Sequence, residues 1–147
     1  MRFRAASIAV LLALVALIGC SESATRDRSV VADLDTGRDG PTVLLRGDMN
    51  GWDESTPLAY NGDGTYAVTV ALTADPYNFK LASADWSTVN LGATSADTTT
   101  VTIGEALDLL QGSQDNLSIT IDADGTYLFT IAPVADYSSV RLLVTGP

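Results

Sequence analysis

From Tyr66 to Leu72 the chain alternates strictly: Tyr66, Val68, Val70 and Leu72 fall on one side, with Thr65, Ala67, Thr69 and Ala71 on the other. A period of two is the side-chain repeat of an extended strand with one buried face, and no helix can place that set together. The pattern recurs. Tyr77, Phe79 and Leu81 alternate with Asn78, Lys80 and Ala82, and Leu117, Ile119 and Ile121 alternate with Ser118 and Thr120. Tyr127, Phe129 and Ile131 make a fourth run and Val140 to Val144 a last one, while Thr42 to Gly47 is a β-rich opening. Turn residues punctuate these runs: Asp48–Gly51, Asn61–Gly64, Asp75-Pro76 and Asp122–Gly125. In such sequences glycine supplies positive φ and Asp or Asn caps its own backbone. Many short strands with turns at regular spacing predict an all-β domain, an antiparallel β-sandwich of immunoglobulin-like shape. Two stretches fit less well. Thr98 to Ile103 has the composition of a further strand, and Glu105 to Gln111 that of a helical turn, with Ala106, Leu107, Leu109 and Leu110 apolar.

The first forty residues are of another kind. Arg2 and Arg4 precede an apolar run from Ile8 to Ile18, too short for the roughly 20 residues that span a bilayer. It reads as a signal peptide over residues 1–19. Leu17-Ile18-Gly19-Cys20 resembles the lipobox read by the lipoprotein signal peptidase, with the Cys20 thiol as the acceptor of a lipid thioether. Residues 20–40, rich in Ser, Thr, Asp, Arg and Gly, show no sustained period and are expected to be a lipidated, flexible tether. The folded domain is expected over residues 41–147, about 105 residues, enough for one core. Two acylations, palmitate-type chains included, anchor a protein stably. Ser21, where enteric bacteria place Asp to retain a lipoprotein at the inner membrane, predicts an outer-membrane or outer-surface address in a bacterial cell envelope.

Charge and composition exclude several functions. Removal of Arg2 and Arg4 leaves six basic against eighteen acidic residues, a net of −12, which repels nucleic acid and gives anionic lipid nothing to attract. Cys20 is the only cysteine, so no intramolecular disulfide staples the domain. With no histidine in the chain, the commonest general base and the commonest metal ligand are missing. Most acids lie in turns, as Asp48, Asp63, Asp75, Asp122 and Asp124 do, and no segment has EF-hand spacing. The chain reads as non-catalytic, without cofactor or metal.

Trp52 and Trp86 are more informative, because both fall in expected loops, after Met49-Asn50-Gly51 and Ser83-Ala84-Asp85. Two readings of them stand. Sugar binders stack the apolar face of a pyranose on an indole and bind its hydroxyls with nearby amides, carboxylates or ammonium groups. Asn50, Lys80, Asn90, Asn116 and Asp85 are the candidates for that second task. Alternatively, a tryptophan plugs one end of the sandwich.

Taken together, Leu45-Arg46-Gly47-Asp48-Met49-Asn50-Gly51-Trp52 resembles the opening of glycogen- and starch-recognition modules. These are early-set domains of isoamylase and pullulanase type and of the AMP-activated kinase β subunit, whose first strand runs into a Gly-x-Phe/Met-Asn-x-Trp turn. The Asn61–Thr65 turn before a long strand matches next. Tyr77-Asn78-Phe79-Lys80-Leu81-Ala82 followed by Asp85-Trp86 resembles the Tyr-x-Phe-Lys-Phe…Trp segment. Asn116 resembles the Asn that opens the last glucan-contacting strand, and Asp122 to Thr130 resembles the corresponding end of bacterial pullulanase-associated domains. The resemblance spans residues 42 to 145. It implies an early-set fold and α-glucan binding, with Trp52 and Trp86 stacking on glucose rings and Lys80 and Asn116 hydrogen-bonding sugar hydroxyls. A separate glycoside hydrolase is a candidate partner that the sequence leaves open. The spacing from Lys80 to Trp86 departs from the kinase subunit, and Asn90–Gly112 is longer than in a minimal module. An early-set domain acting as a structural or protein-partner unit, with no sugar affinity, is the alternative.

Overall fold

A computed structural model describes Val30–Ala32, Leu34 and residues 42–147. The expected signal peptide, Cys20 and most of the expected tether lie outside the described residues.

The alternating runs form strands, and the fold class read from them holds. Ten strands follow in order: β1 Leu44–Gly47, β2 Ala59–Tyr60, β3 Tyr66–Leu72, β4 Asp75–Ala82 and β5 Asn90–Ala93, then β6 Thr100–Val101, β7 Ala106–Gln111, β8 Leu117–Ile121, β9 Gly125–Pro133 and β10 Val140–Thr145. Their hydrogen-bonded order is β2-β3-β9-β10-β7-β5-β4-β8-β6, with β1 also on β4. The sheet folds over on itself. Phe79 of β4 meets Phe129 of β9 edge to face at 5.6 Å, although these two strands share no ladder. That pair marks the seam where the two layers of the sandwich pack, and the fully buried Leu45, Leu81, Leu91, Leu117, Ile131 and Leu142 surround it.

β4 organises the half that carries the tryptophans. Phe79 pairs with both Gly47 and Leu117, and Leu81 with both Leu45 and Leu91. β1 therefore runs along one edge of β4, while β5 and β8 follow one another along the other. This explains how Pro76, expected in a turn, sits within a strand. Pro76 has the same parity as Asn78, whose N–H points to the β1 edge, and β1 stops at residue 47 before reaching that far. The donor that proline lacks falls on an edge with no strand to receive it.

Three expectations need correction. Glu105 to Gln111 is no helical turn: Ala106–Gln111 is β7, paired with β10 on one side and β5 on the other. Seven residues gain little as an isolated helix, whereas both edges of this strand are satisfied. Of Thr98 to Ile103 only Thr100–Val101 is a strand, and it runs parallel to β8, the exception in an otherwise antiparallel sheet among the described residues. Finally, the tether is not free along its whole length. Val30–Ala32 and Leu34 are helical, and Val31 and Leu34, at 1% and 0% exposure, join the core. Their spacing of three puts both on one face of a helical turn.

Candidate functional site

The site grows from the end of β1. Gly47 is required there by packing: a Cβ would lie 2.5 Å from the Asn78 carbonyl oxygen and 2.6 Å from the Phe79 Cβ. The chain then makes a 3-10 turn, Asp48–Asn50, and leaves it through Gly51 at φ 64°. Asn50 ties this turn down. Its Oδ1 accepts the Gly47 N–H at 3.0 Å, and its Nδ2 donates to the Leu45 carbonyl at 2.8 Å and to Thr56 Oγ1 at 3.0 Å. Asp48 does two further jobs. Its Oδ2 accepts the Asn78 backbone N–H at 2.7 Å and the Asn78 amide at 3.1 Å, while Oδ1 accepts the Trp52 indole N–H at 3.0 Å. The Asn78 N–H, then the indole, hold the Asp48 carboxyl below its usual range. Trp52 is thus half-buried and fixed at its polar end.

The second loop joins β4 to β5. Asp85 accepts from the Ser83 hydroxyl, from the Ser87 N–H and hydroxyl at 3.1 and 2.9 Å, and from the Thr88 N–H and hydroxyl at 3.0 and 2.6 Å. Those donors, the Ser83 hydroxyl first, hold its carboxyl far below the usual range. Trp86 projects from this loop, 36% exposed.

The two indoles come together, with ring centroids 6.2 Å apart and planes at 36°. Both residues have left-handed backbones, φ 64° at Trp52 and 59° at Trp86. For a bulky residue that conformation costs on the order of 1–3 kcal/mol and persists only where the surroundings impose it. Arg46 lies between the loops. Its Nε and Nη2 donate to the Trp52 carbonyl at 3.0 and 2.8 Å, its Nη1 donates to the Ala84 and Ser83 carbonyls at 3.1 and 3.3 Å, and its Cζ sits 3.8 Å from the Trp86 ring centroid.

Lys80 is the cross-strand partner of Arg46, on the face turned away from Phe79 and Leu81. It is nevertheless only 4% exposed, because the segment joining β7 to β8 crosses above it. A Cβ on Gly92 would collide with the Asp115 carbonyl and the Ser113 side chain of that segment. Lys80 Nζ donates to Asn90 Oδ1 at 2.8 Å and to the Ser113 carbonyl. Burial lowers its affinity for the proton, and Asp115 acts the other way. Asn116 is exposed, and extending the β4–β8 register by one residue sets it opposite Lys80. The structure therefore brings Trp52, Trp86, Lys80, Asn90 and Asn116 to one face of the β1-β4-β5 region. Asn50 and Asp85 are beside them, with their polar atoms committed to holding the two loops.

From the sequence Asp48 reads only as a turn acid, and Arg46 carries no role there. The signal for Arg46 is a charge inside a strand buried on both faces. A second signal is a repeat: Ala84-Asp85-Trp86-Ser87-Thr88-Val89 returns as Ala135-Asp136-Tyr137-Ser138-Ser139-Val140 between β9 and β10. Tyr137 has φ 56°, its N–H donates to the Val134 carbonyl at 2.9 Å as that of Trp86 does to Ser83 at 3.1 Å, and Asp136 accepts the Ser138 N–H at 3.0 Å. One loop design is used twice. Here the ring is half-buried against the core, so this copy serves packing.

No family model matches this chain, and no curated protein matches it either. Among solved structures it is similar to one described as "Ligand induced structure of AmyP-SBD", a starch-binding domain, at 22% identity and a TM-score of 0.59, covering 98% of this chain and 97% of that one. Such a likeness establishes a shared all-β fold.

Proposed function

We propose that this protein is a non-catalytic carbohydrate-binding module for an α-glucan of starch or glycogen type, displayed on a lipid-anchored envelope protein. The observation that carries the reading is the Trp52–Trp86 pair, two indoles on one face at 6.2 Å and 36°. Adjacent rings whose planes differ by 36° suit two successive sugars of a curved chain, each stacking its C–H face on an indole. A flat polymer has less use for the tilt. The fold shared with a starch-binding domain supports the same reading.

In this scheme Trp52 and Trp86 are the platform, and exposed Asn116 donates to and accepts from hydroxyls at its edge. Lys80, buried beneath the Ser113–Asp115 crossing with its Nζ on Asn90 and Ser113, supports the face from below instead of touching sugar. Asn50 holds the Trp52 turn instead of touching sugar. The anchor is the lipid on Cys20, after removal of residues 1–19, and the address is the outer membrane or outer surface of a bacterial envelope. A separate glycoside hydrolase would act on the captured glucan.

Native affinity electrophoresis in gels with and without soluble starch or glycogen tests the proposal. The wild-type protein is retarded and Trp52→Ala is not, since a lost stacking ring weakens binding by about 1–3 kcal/mol. A wild-type protein that runs freely in every α-glucan gel would move the function to a structural or protein-contact domain.

A further inference from the structure

We infer that Arg46 is the positioning residue of this site: one guanidinium sets both tryptophan loops and makes the two rings a single unit. The inference deepens the glucan-binding reading and rests on it for its functional consequence.

The argument begins with what each loop lacks. Trp52 and Trp86 both hold a backbone conformation that bulky side chains avoid, so each loop relaxes unless something selects it. Asn50 and Asp85 organise the loops separately, one from β1 and one within the β4–β5 connection. The hydrogen bonds described for each stay with its own loop and the strand it springs from. Arg46 touches both. Two of its N–H groups converge on the carbonyl of Trp52 itself, and a third reaches the carbonyls of residues 83 and 84, just before Trp86. The flat face of the same group lies 3.8 Å from the Trp86 centroid, a cation–π distance.

The chemistry requires arginine. A planar fork presents donors in several directions within one plane and still stacks on an aromatic ring, whereas an ammonium is a point charge that does neither. The hydrogen bonds of Arg46 described above all go to carbonyl oxygens, unlike those of Arg141, which pairs with the Asp108 carboxylate at 2.8 Å. At 7% exposure Arg46 is covered by the loops it holds. A cation buried this way beneath a ligand face is placed to shape that face from behind. It also occupies one side of the Trp86 ring, so sugar stacks on the opposite side.

The test compares full-length wild-type protein in detergent with Arg46→Met, which keeps the stem, and Arg46→Lys, which keeps the charge. The readouts are the exciton couplet of the paired indoles in far-UV circular dichroism, without ligand, and retardation by soluble starch. Trp52→Phe and Trp86→Phe each abolish the couplet and so assign it to the pair. In both Arg46 variants we expect the β-sheet spectrum to persist, the couplet to vanish, and starch binding to weaken about tenfold or more. A couplet and retardation that survive in Arg46→Met, or that Arg46→Lys restores, overturn the inference. Loss of the sheet spectrum in both variants also overturns it, because Arg46 then holds the fold and not the site. A wild-type couplet lost in Arg46→Met, with no starch retardation of the wild type, supports the positioning role and sinks the glucan reading instead.

Discussion

Replacing Gly47 with alanine isolates the packing on which the Trp52 turn is built. The backbone there is extended, φ −179° and ψ −173°, which any residue adopts, so the change meets no conformational penalty of its own. What the new methyl meets is β4. It would stand 2.5 Å from the Asn78 oxygen, 2.6 Å from the Phe79 Cβ and 2.7 Å from the Met49 sulfur. Ordinary contact begins at 3.4 Å, so β1 and β4 must part by several tenths of an ångström. Met49 can swing aside, but Asn78 O and Phe79 Cβ belong to a strand paired along its other edge and packed on Phe129. Overpacking of this kind costs typically 1–3 kcal/mol, and two rigid neighbours put this site at about 3. In a domain of this size that lowers the melting temperature by about 12–24 °C. Gly51 is the comparator, because its φ is 64° and a Cβ there meets nothing within 4 Å. Gly51→Ala is left with the left-handed backbone penalty alone, about 1 kcal/mol, or about 4–8 °C. Urea and thermal unfolding of the two variants beside wild type make the comparison. The reasoning fails if Gly47→Ala is the milder change or costs less than about 1 kcal/mol.

Three other outcomes follow from the fold. Leu34→Ala, at a fully buried position, should cost about 2–4 kcal/mol in urea unfolding, whereas a residue in a free tether would leave the midpoint unmoved. Gly92→Ala should lift the Ser113–Asp115 crossing and lower stability by about 1–3 kcal/mol. It should also raise the reactivity of Lys80 towards acylating reagents, read by peptide mass mapping, and an unchanged Lys80 would refute the covering role given to that segment. The carboxyls of Asp85 and Asp48 lie below the ordinary aspartate value of 3.8 in the folded protein. Their support of the tryptophan loops is complete above that value and is lost as pH falls through the lower, folded one. Tryptophan fluorescence should therefore hold steady from neutrality down to about pH 4 and change only in stronger acid. Asp85→Asn should remove part of that change, and a transition centred above pH 4 would contradict the hydrogen-bond account.

Much of the architecture was legible because short-range physics writes it. The alternation of Tyr66 to Leu72 gave β3, and the glycine and aspartate turns marked where strands end. Both tryptophans fell in loops because their neighbours are turn formers. Legibility failed where neighbours distant in sequence decide. Ala106 to Gln111 has apolar residues at helical spacing, yet two strands whose paired residues lie 16–20 and 31–37 positions away claim both its edges. Val31 and Leu34 look like scattered apolar residues until the core receives them.

The same division runs through the site. The sequence by itself determined that this chain builds an all-β domain and carries a tryptophan on each of two loops, since periodicity and turn chemistry are local. Only the tertiary structure decided which polar groups remain free to face outward and which are spent inside the molecule. Asp85 and Asn50 spend their hydrogen bonds on their own loops, and Lys80 lies beneath a segment more than thirty residues further on. Arg46 joins Trp52 to Ser83 and Ala84 across the gap between β1 and the β4–β5 loop. A side chain's chemistry is fixed by its type, but its role depends on which partners the fold brings within 3 Å, and those partners come from distant parts of the chain.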